Sequence, residues 1–292
     1  MKVSDLALFS SLSDSIIAAS DNIQLAQQQL ATGKRVAQPS DDPAAFAQAG
    51  LLQATRSAIA NDGTLASLMQ SRLNVADGAL AQTTTAITTA MASATQGADG
   101  TISAAQMATI AKTVQGQLDQ VIQSANVDYA GVHLFGGNQT QAAPFSATGT
   151  YAGDIGSNSA TFSNGSSFPV TFNGQSIFGD STSGAIGALT SLITALATGN
   201  KANVTTALSQ LTAALQQVTD ARASIGTSIN NASALAAGAN ATLTSLDDNI
   251  NQVAGADIAK TAMVVKEATL QQEALVSFAS ELERIPLVNI LA

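Results

Sequence analysis

The adjacent carboxylates Asp41-Asp42 are the first residues with chemical promise, since such a pair could hold a divalent cation or share a proton in acid–base work. No further ligand cluster lies beside them, and a simpler role fits. Asp42 caps the helix that follows, with Pro43 at its first position, where the missing N–H costs nothing. His133 is the only histidine, which excludes Ser/His/Asp triads and multi-histidine zinc sites. Alone, it reads as a loop or strand residue without a catalytic task. Gly33-Lys34-Arg35 lacks the upstream glycine and downstream hydroxyl residue of a phosphate-binding loop. Gly153-Asp154-Ile155-Gly156 reads as a turn, and the absence of cysteine removes disulfides and thiolate metal sites. No catalytic, metal-ligating or cofactor-binding residue is assigned, no cofactor is expected, and an enzyme is the weakest functional class.

Composition points to helices instead. Of the 292 residues 46% are hydrophobic, but only 4% are aromatic and Trp is absent, so the apolar content is mainly Ala, Leu, Ile and Val. Small side chains suit helices that approach closely over a thin packing layer. The net charge is −9, and no Lys or Arg lies between Lys112 and Lys201. Nucleic acid is therefore not expected as a partner, because phosphate binding needs clustered basic residues. No apolar run approaches the roughly 20 residues of a membrane span. Lys2 is basic, but Asp5, Asp14 and Asp21 interrupt what would be the apolar core of a cleavable signal, so any export is expected to be uncleaved.

Heptad spacing is the strongest signal. Phe9, Leu12, Ile16, Ala19, Ile23, Ala26 and Leu30 alternate in steps of three and four, which puts them on one helix face. Gly33 stops that helix, with Lys34 and Arg35 near its negative end. After the loop Gln38-Pro39-Ser40-Asp41-Asp42-Pro43, a second helix carries Leu52, Ile59, Ala66, Met69, Leu73, Ala76, Leu80 and Ile87, with Thr and Asp at intervening seam positions, and ends near Gly97–Gly100. A third is predicted from about Ser103 to Asp128. From Val204 to Val253 the register runs unbroken through Leu211, Val218, Arg222, Ile225, Ala232, Ala239 and Leu246, predicting a helix of about 50 residues, roughly 75 Å long. Arg222 faces the seam there, where a charge needs a partner, so an ion pair is expected. A last helix starts near Asp257 with Val264, Leu275, Phe278, Leu282 and Ile285, and Pro286 breaks it.

Between Tyr129 and Phe178 the composition changes: both tyrosines and six of nine phenylalanines lie there among Gly, Ser, Thr and Asn. Phe168-Pro169-Val170-Thr171-Phe172 reads as a strand running into the turn Asn173-Gly174. The expected fold class is mainly α with a small β-rich insert, its N- and C-terminal parts forming a long antiparallel helical coiled-coil bundle. Three divisions follow: a terminal helical pair, 1–42 with 256–292; a helical rod, 43–131 with 182–254; and an inserted β-rich outer domain, 132–181. The terminal stripes cannot be covered within one two-helix hairpin, so neighbouring copies are expected to cover the rest. The assembly residues are Phe9, Leu12, Ile16, Ile23, Leu30, Leu275, Phe278, Leu282 and Ile285, and the loop between the first helices is marked by Pro39, Asp41, Asp42 and Pro43.

Three stretches carry a family resemblance. Leu30-Ala31-Thr32-Gly33-Lys34-Arg35-Val36-Ala37-Gln38-Pro39-Ser40-Asp41-Asp42-Pro43 resembles the N-terminal motif of hook–filament junction proteins in the bacterial flagellin superfamily. Phe135–Phe145 followed by Tyr151-Ala152-Gly153-Asp154 looks like the same family's entry into its β domain, and Ala221–Gly226 with Ala256–Ala259 resembles its C-terminal helices. Pro39 and Pro43 favour a junction protein over filament flagellin. The resemblance implies a flagellin-like fold and a structural, self-assembling role in motility. It also implies export without a cleaved signal to the extracellular flagellum, and residence at the hook–filament junction. Implied partners are further copies of the chain, a neighbouring hook-associated protein, flagellin and an export chaperone. A short filament flagellin is the rival within the class, and a secreted coiled-coil adhesin the rival outside it; the latter needs a cleavable signal and an anchor.

Overall fold

A computed structural model describes residues 3–99 and 101–284, with side chains described for 10–99 and 101–281. Seven helices and four short strands are present among them: α1 (Val3–Thr32), α2 (Pro43–Ala98), α3 (Ala104–Ala125), β1 (Asp128–Tyr129), β2 (Val132–His133), β3 (Ser159–Thr161), β4 (Ser167–Pro169), α4 (Gly174–Phe178), α5 (Gly184–Ala197), α6 (Lys201–Ala254) and α7 (Ile258–Arg284). The fold is mainly helical, as the periodicity predicts. It divides into two compact units, 1–57 with 242–292, and 58–241. Among the described residues no helix is long and apolar enough to cross a membrane.

In the 58–241 unit the 3/4 register of α2 half-buries Ile59 and from Asp62 onward is buried throughout: Asp62, Ala66, Met69, Leu73, Ala76, Leu80, Thr83, Ile87, Ala90, Ala94 and Gly97. On α6 the positions seven apart, Val204, Leu211, Val218, Ile225, Ala232 and Ala239, are buried, while the intervening Leu208, Leu215, Arg222, Ile229 and Ala236 are half-buried. Small residues let the two helices approach closely; a Cβ on Gly63 would stand 3.3 Å from that of Ala239. The expected partner of Arg222 is Asp77, held by Nε to Oδ1 at 3.0 Å and a second nitrogen to Oδ2 at 3.3 Å. Burial costs the guanidinium little here, because the fork matches the carboxylate in both bonds.

Helix α3 starts at a capping box, Ser103 with Gln106, but ends three residues before Asp128. Asn126 ends it by turning its side-chain amide to the chain at Phe145, donating to Phe145 O and accepting from Phe145 N, both at 2.8 Å. The insert is mostly turns, with two antiparallel ribbons, β1–β2 and β3–β4. Ala130 and Gly131 both have positive φ (53° and 78°), the primed-turn geometry that matches ribbon twist. The expected strand through Phe172 stops at Pro169. Val170 and Thr171 both donate to Asn158 O, and Phe172 N then donates to Leu134 O, so the chain leaves one ribbon for another segment. Phe135, Phe145 and Phe178 meet edge-on at 4.9 and 5.8 Å and continue the helical core rather than forming a separate one. A smaller cluster seats Phe162 on Ala66 and Met69.

Candidate assembly surface

The 1–57 and 242–292 unit pairs α1 with α7. At the joint, Gly33 takes φ +68°, a left-handed conformation that costs glycine little, and the chain turns out of the helix. Arg35 N and Val36 N both donate to Ala254 O, at 2.8 and 3.2 Å, and Ala256 N donates to Gly33 O at 2.9 Å. Lys34 and Gly255 form an antiparallel bridge. Since α1 runs into this bridge and α7 runs out of it, the two helices pack antiparallel.

The loop is built from its carboxylates. Asp41 Oδ2 accepts from Ala37 N and Gln38 N, each at 2.9 Å, while Asp41 N donates to Gln38 O across a turn with Pro39 at its second position. Asp42 Oδ1 accepts from Ala45 N at 3.0 Å, capping α2, and Pro43 is its first residue. Arg35 donates to Val253 O at 2.8 Å, at the negative end of α6, and lies 3.5 Å from Asp42. The N–H groups of Gln38 and Ala37 hold the Asp41 carboxyl below its ordinary range, and that of Ala45, helped by Arg35, does so for Asp42. The pair is thus engaged in shaping backbone. Among the described residues no cluster of three or more His, Cys, Asp or Glu could hold a metal. A second clamp within this unit joins Arg56 to Asp247 through both carboxylate oxygens.

The seam between α1 and α7 is thin. Leu12, Ala19 and Ala26, seven apart, are buried on α1, with Ile16, Ile23 and Leu30 half-buried beside them. Across from them α7 buries Thr261 and Ala268 and half-buries Leu275, again seven apart. Phe278 is three residues past Leu275, about 60° round the helix, and is 52% exposed. Phe9 and Leu282 lie on described backbone but outside the described side chains, and Ile285 lies outside the described residues.

The remaining faces carry large apolar side chains, most of which the register does not single out. On α7, Ile258, Met263, Leu270 and Val276 are each at least half exposed, and Val264 is nearly so. Met263 and Leu270 come two residues after Thr261 and Ala268, so they lie about 200° from the seam, on the far side of the helix. On α1, Ile17 and Leu25 are exposed, and on the first turns of α2 so are Phe46 and Leu51. An apolar residue out of step with its helix's own seam is the sequence sign of such a face. Several large apolar side chains left exposed on one pair of helices are a sign of contact with another molecule.

Residues 3–140 match the family model of the bacterial flagellin N-terminal helical region. The chain is 34% identical over 161 residues to flagellar hook-associated protein 3 of Salmonella typhimurium, a match covering 54% of this chain and 51% of that protein. It therefore spans about half the length of the curated relatives it matches. Among solved structures, a putative flagellar hook-associated protein from Vibrio parahaemolyticus aligns with a TM-score of 0.68 at 19% identity, over 74% of this chain and 100% of that one. The flagellar junction protein FlgL from Legionella pneumophila aligns with a TM-score of 0.58 at 14% identity, over 71% and 99%. At those identities the likeness is one of fold.

Proposed function

We propose that this chain, whose residues 3–140 match the model of the bacterial flagellin N-terminal helical region, is a non-enzymatic structural subunit of the bacterial flagellum that polymerises through its terminal helices at the junction between hook and filament. The observation that carries the reading is the α1–α7 pair itself. Its own seam fully buries Leu12, three alanines and a threonine and only half-buries Ile16, Ile23, Leu30 and Leu275, while Met263, Leu270, Val276 and Phe278 stand half or more in solvent. A helical pair built this way leaves apolar area for neighbours to cover. Pro39 and Pro43, which fix the loop between α1 and α2, support a junction piece over a filament flagellin.

In this proposal residues 1–42 and 256–292 form the inner assembly pair. Residues 43–131 and 182–254 supply the helical rod against adjacent subunits, and 132–181 turns to the outside of an extracellular assembly. Its partners are further copies of itself, a neighbouring hook-associated protein and flagellin, with a chaperone before export. Deleting residues 283–292 and following incorporation at hook tips by electron microscopy tests it. Loss of incorporation is expected, and normal filament attachment would defeat the idea. Purified protein that grows alone into long filaments identifies a short flagellin instead.

A further inference from the structure

Two Asn-Gly steps occur in the chain, Asn164-Gly165 and Asn173-Gly174, and the fold treats them oppositely. Asn-Gly is the step at which the following backbone nitrogen most easily reaches the asparagine side-chain carbon, because glycine adds no Cβ to obstruct it. Asn164 and Gly165 are exposed in the turn between β3 and β4. Gly165 has φ +81°, and nothing lies within 4 Å of where its Cβ would stand. Asn164 Oδ1 accepts from Ser166 N at 2.9 Å and from the Ser166 hydroxyl. Two donors therefore converge on the oxygen that takes up negative charge when the side-chain carbonyl is attacked, the arrangement that stabilises an oxyanion. Asn173 is the internal contrast. Its side chain caps α4 through Ser176 N, Gly174 is buried, and Gly174 N donates to Phe135 O at 2.9 Å. A Cβ there would meet that carbonyl at 2.4 Å.

We propose that Asn164 is a self-modifying site, converting through a succinimide to aspartate and isoaspartate, and that the new charge loosens the β3–β4 hairpin from α2. Gly165 N releases its bond to Phe162 O, now 2.9 Å, and gives its proton to solvent base. The nitrogen attacks Cγ of Asn164, and the carbonyl electron pair moves onto Oδ1 beneath the two Ser166 donors. Collapse breaks the Cγ–Nδ2 bond, and the nitrogen leaves as ammonia with a proton from water. A second water molecule opens the ring at either carbonyl, giving the α- or β-linked acid. The net change is one amide and one water converted to one carboxylate and one ammonium.

The charge lands next to the hairpin's latch. Buried Asp62 on α2 accepts from Ser163 N at 3.3 and 3.2 Å and from Ser163 Oγ at 3.2 Å, and this contact accompanies the seating of Phe162 on Met69. A carboxylate one residue along repels that of Asp62.

The test ages the full chain in mildly alkaline buffer and maps peptides for the acid products. Conversion at Asn164 at least about tenfold faster than at Asn173 is expected, equivalent to about 1.4 kcal/mol of local opening free energy. Equal rates at the two sites, or none at Asn164, overturn the assignment. Gly165→Ala must slow conversion at Asn164 while leaving Asn173 unchanged. For the latch, hydrogen exchange is followed at the Ser163 amide in Asn164→Asp. Exchange about threefold faster than in the unmodified chain is expected from a like charge one residue along from the bond to Asp62, and unchanged exchange overturns the coupling to Asp62.

Discussion

Replacing Met263, Leu270 and Phe278 together by glutamine tests whether the outward face of α7 exists for a neighbour. These side chains are 64%, 57% and 52% exposed, so a little more than half of each remains to be buried. Full burial of such a side chain is worth about 1.5–3 kcal/mol, so the uncovered part holds about 1–1.5 kcal/mol apiece. Losing all three should weaken each subunit contact by about 3–5 kcal/mol, a factor of about a hundred to several thousand in the association constant. Glutamine keeps helix propensity close to that of methionine and leucine. The substitutions spare Thr261, Ala268 and Leu275, so circular dichroism of the isolated protein should hardly move and its melting temperature should fall only by what the already covered part of each side chain contributes. The assay compares binding of the variant to isolated hooks, by cosedimentation, with its thermal unfolding as monomer. Undiminished cosedimentation, or a monomer that melts far below the parent, would refute the reasoning, because the face would then be either idle or internal.

Other outcomes follow from single contacts. Gly97→Ala places a Cβ 2.4 Å from a methyl of buried Leu196, and the overpacking should destabilise the 58–241 unit by about 1–3 kcal/mol, read from denaturant midpoints. Asp77→Ala strips Arg222 of its carboxylate at a half-buried seam and should cost about 1.5–3 kcal/mol in the same measurement, whereas Asp77→Glu should recover part of it. Asp180 is held at about 2, from an ordinary 3.8, by the hydroxyl and then the N–H of Thr182. A lowered carboxylate stabilises the folded state above its unfolded value and loses that contribution as pH falls through the folded one. The turn before α5 should therefore keep its order at pH 5 and lose it between about 4 and 2, and NMR of the Thr182 amide would follow the change.

Helix positions were legible because heptads repeat a physical constraint. Every seventh residue of α6 from Val204 to Leu246 is buried, as one helix face turned to a packing partner must be, and even the polar members of the α2 seam, Asp62 and Thr83, sit where the 3/4 count puts them. Glycine and proline mark the joints for the same local reason: Gly33 takes a φ of +68° that costs glycine little, and Pro43 opens α2. What Asp62 does was hidden, because its partner Ser163 is 101 residues away and presents mainly a backbone N–H. Arg35 likewise finds a main-chain oxygen 218 residues distant, and a carbonyl has no residue type to betray it. The insert was read as more strand-rich than it is. Its aromatic residues suit strands, but Phe135, Phe145 and Phe178 use their area against helices, and the intervening glycines bend the chain after two or three residues. Of the exposed apolar residues of α7, the sequence places Val264 in the helix's apolar series and Phe278 among the assembly residues, while Met263 and Leu270 lie off that series.

Hydrogen exchange of the isolated, dilute protein against the same protein assembled on hooks tests the central claim most directly. Amides within 10–32 and 258–281 should exchange rapidly when the α1–α7 pair stands alone on its thin alanine seam, and become protected on assembly, while the buried stretch of α2 around Leu73–Ile87 stays slow in both. Slow exchange along both terminal helices in the dilute protein would contradict the account, since it would mean that the lone molecule already satisfies them.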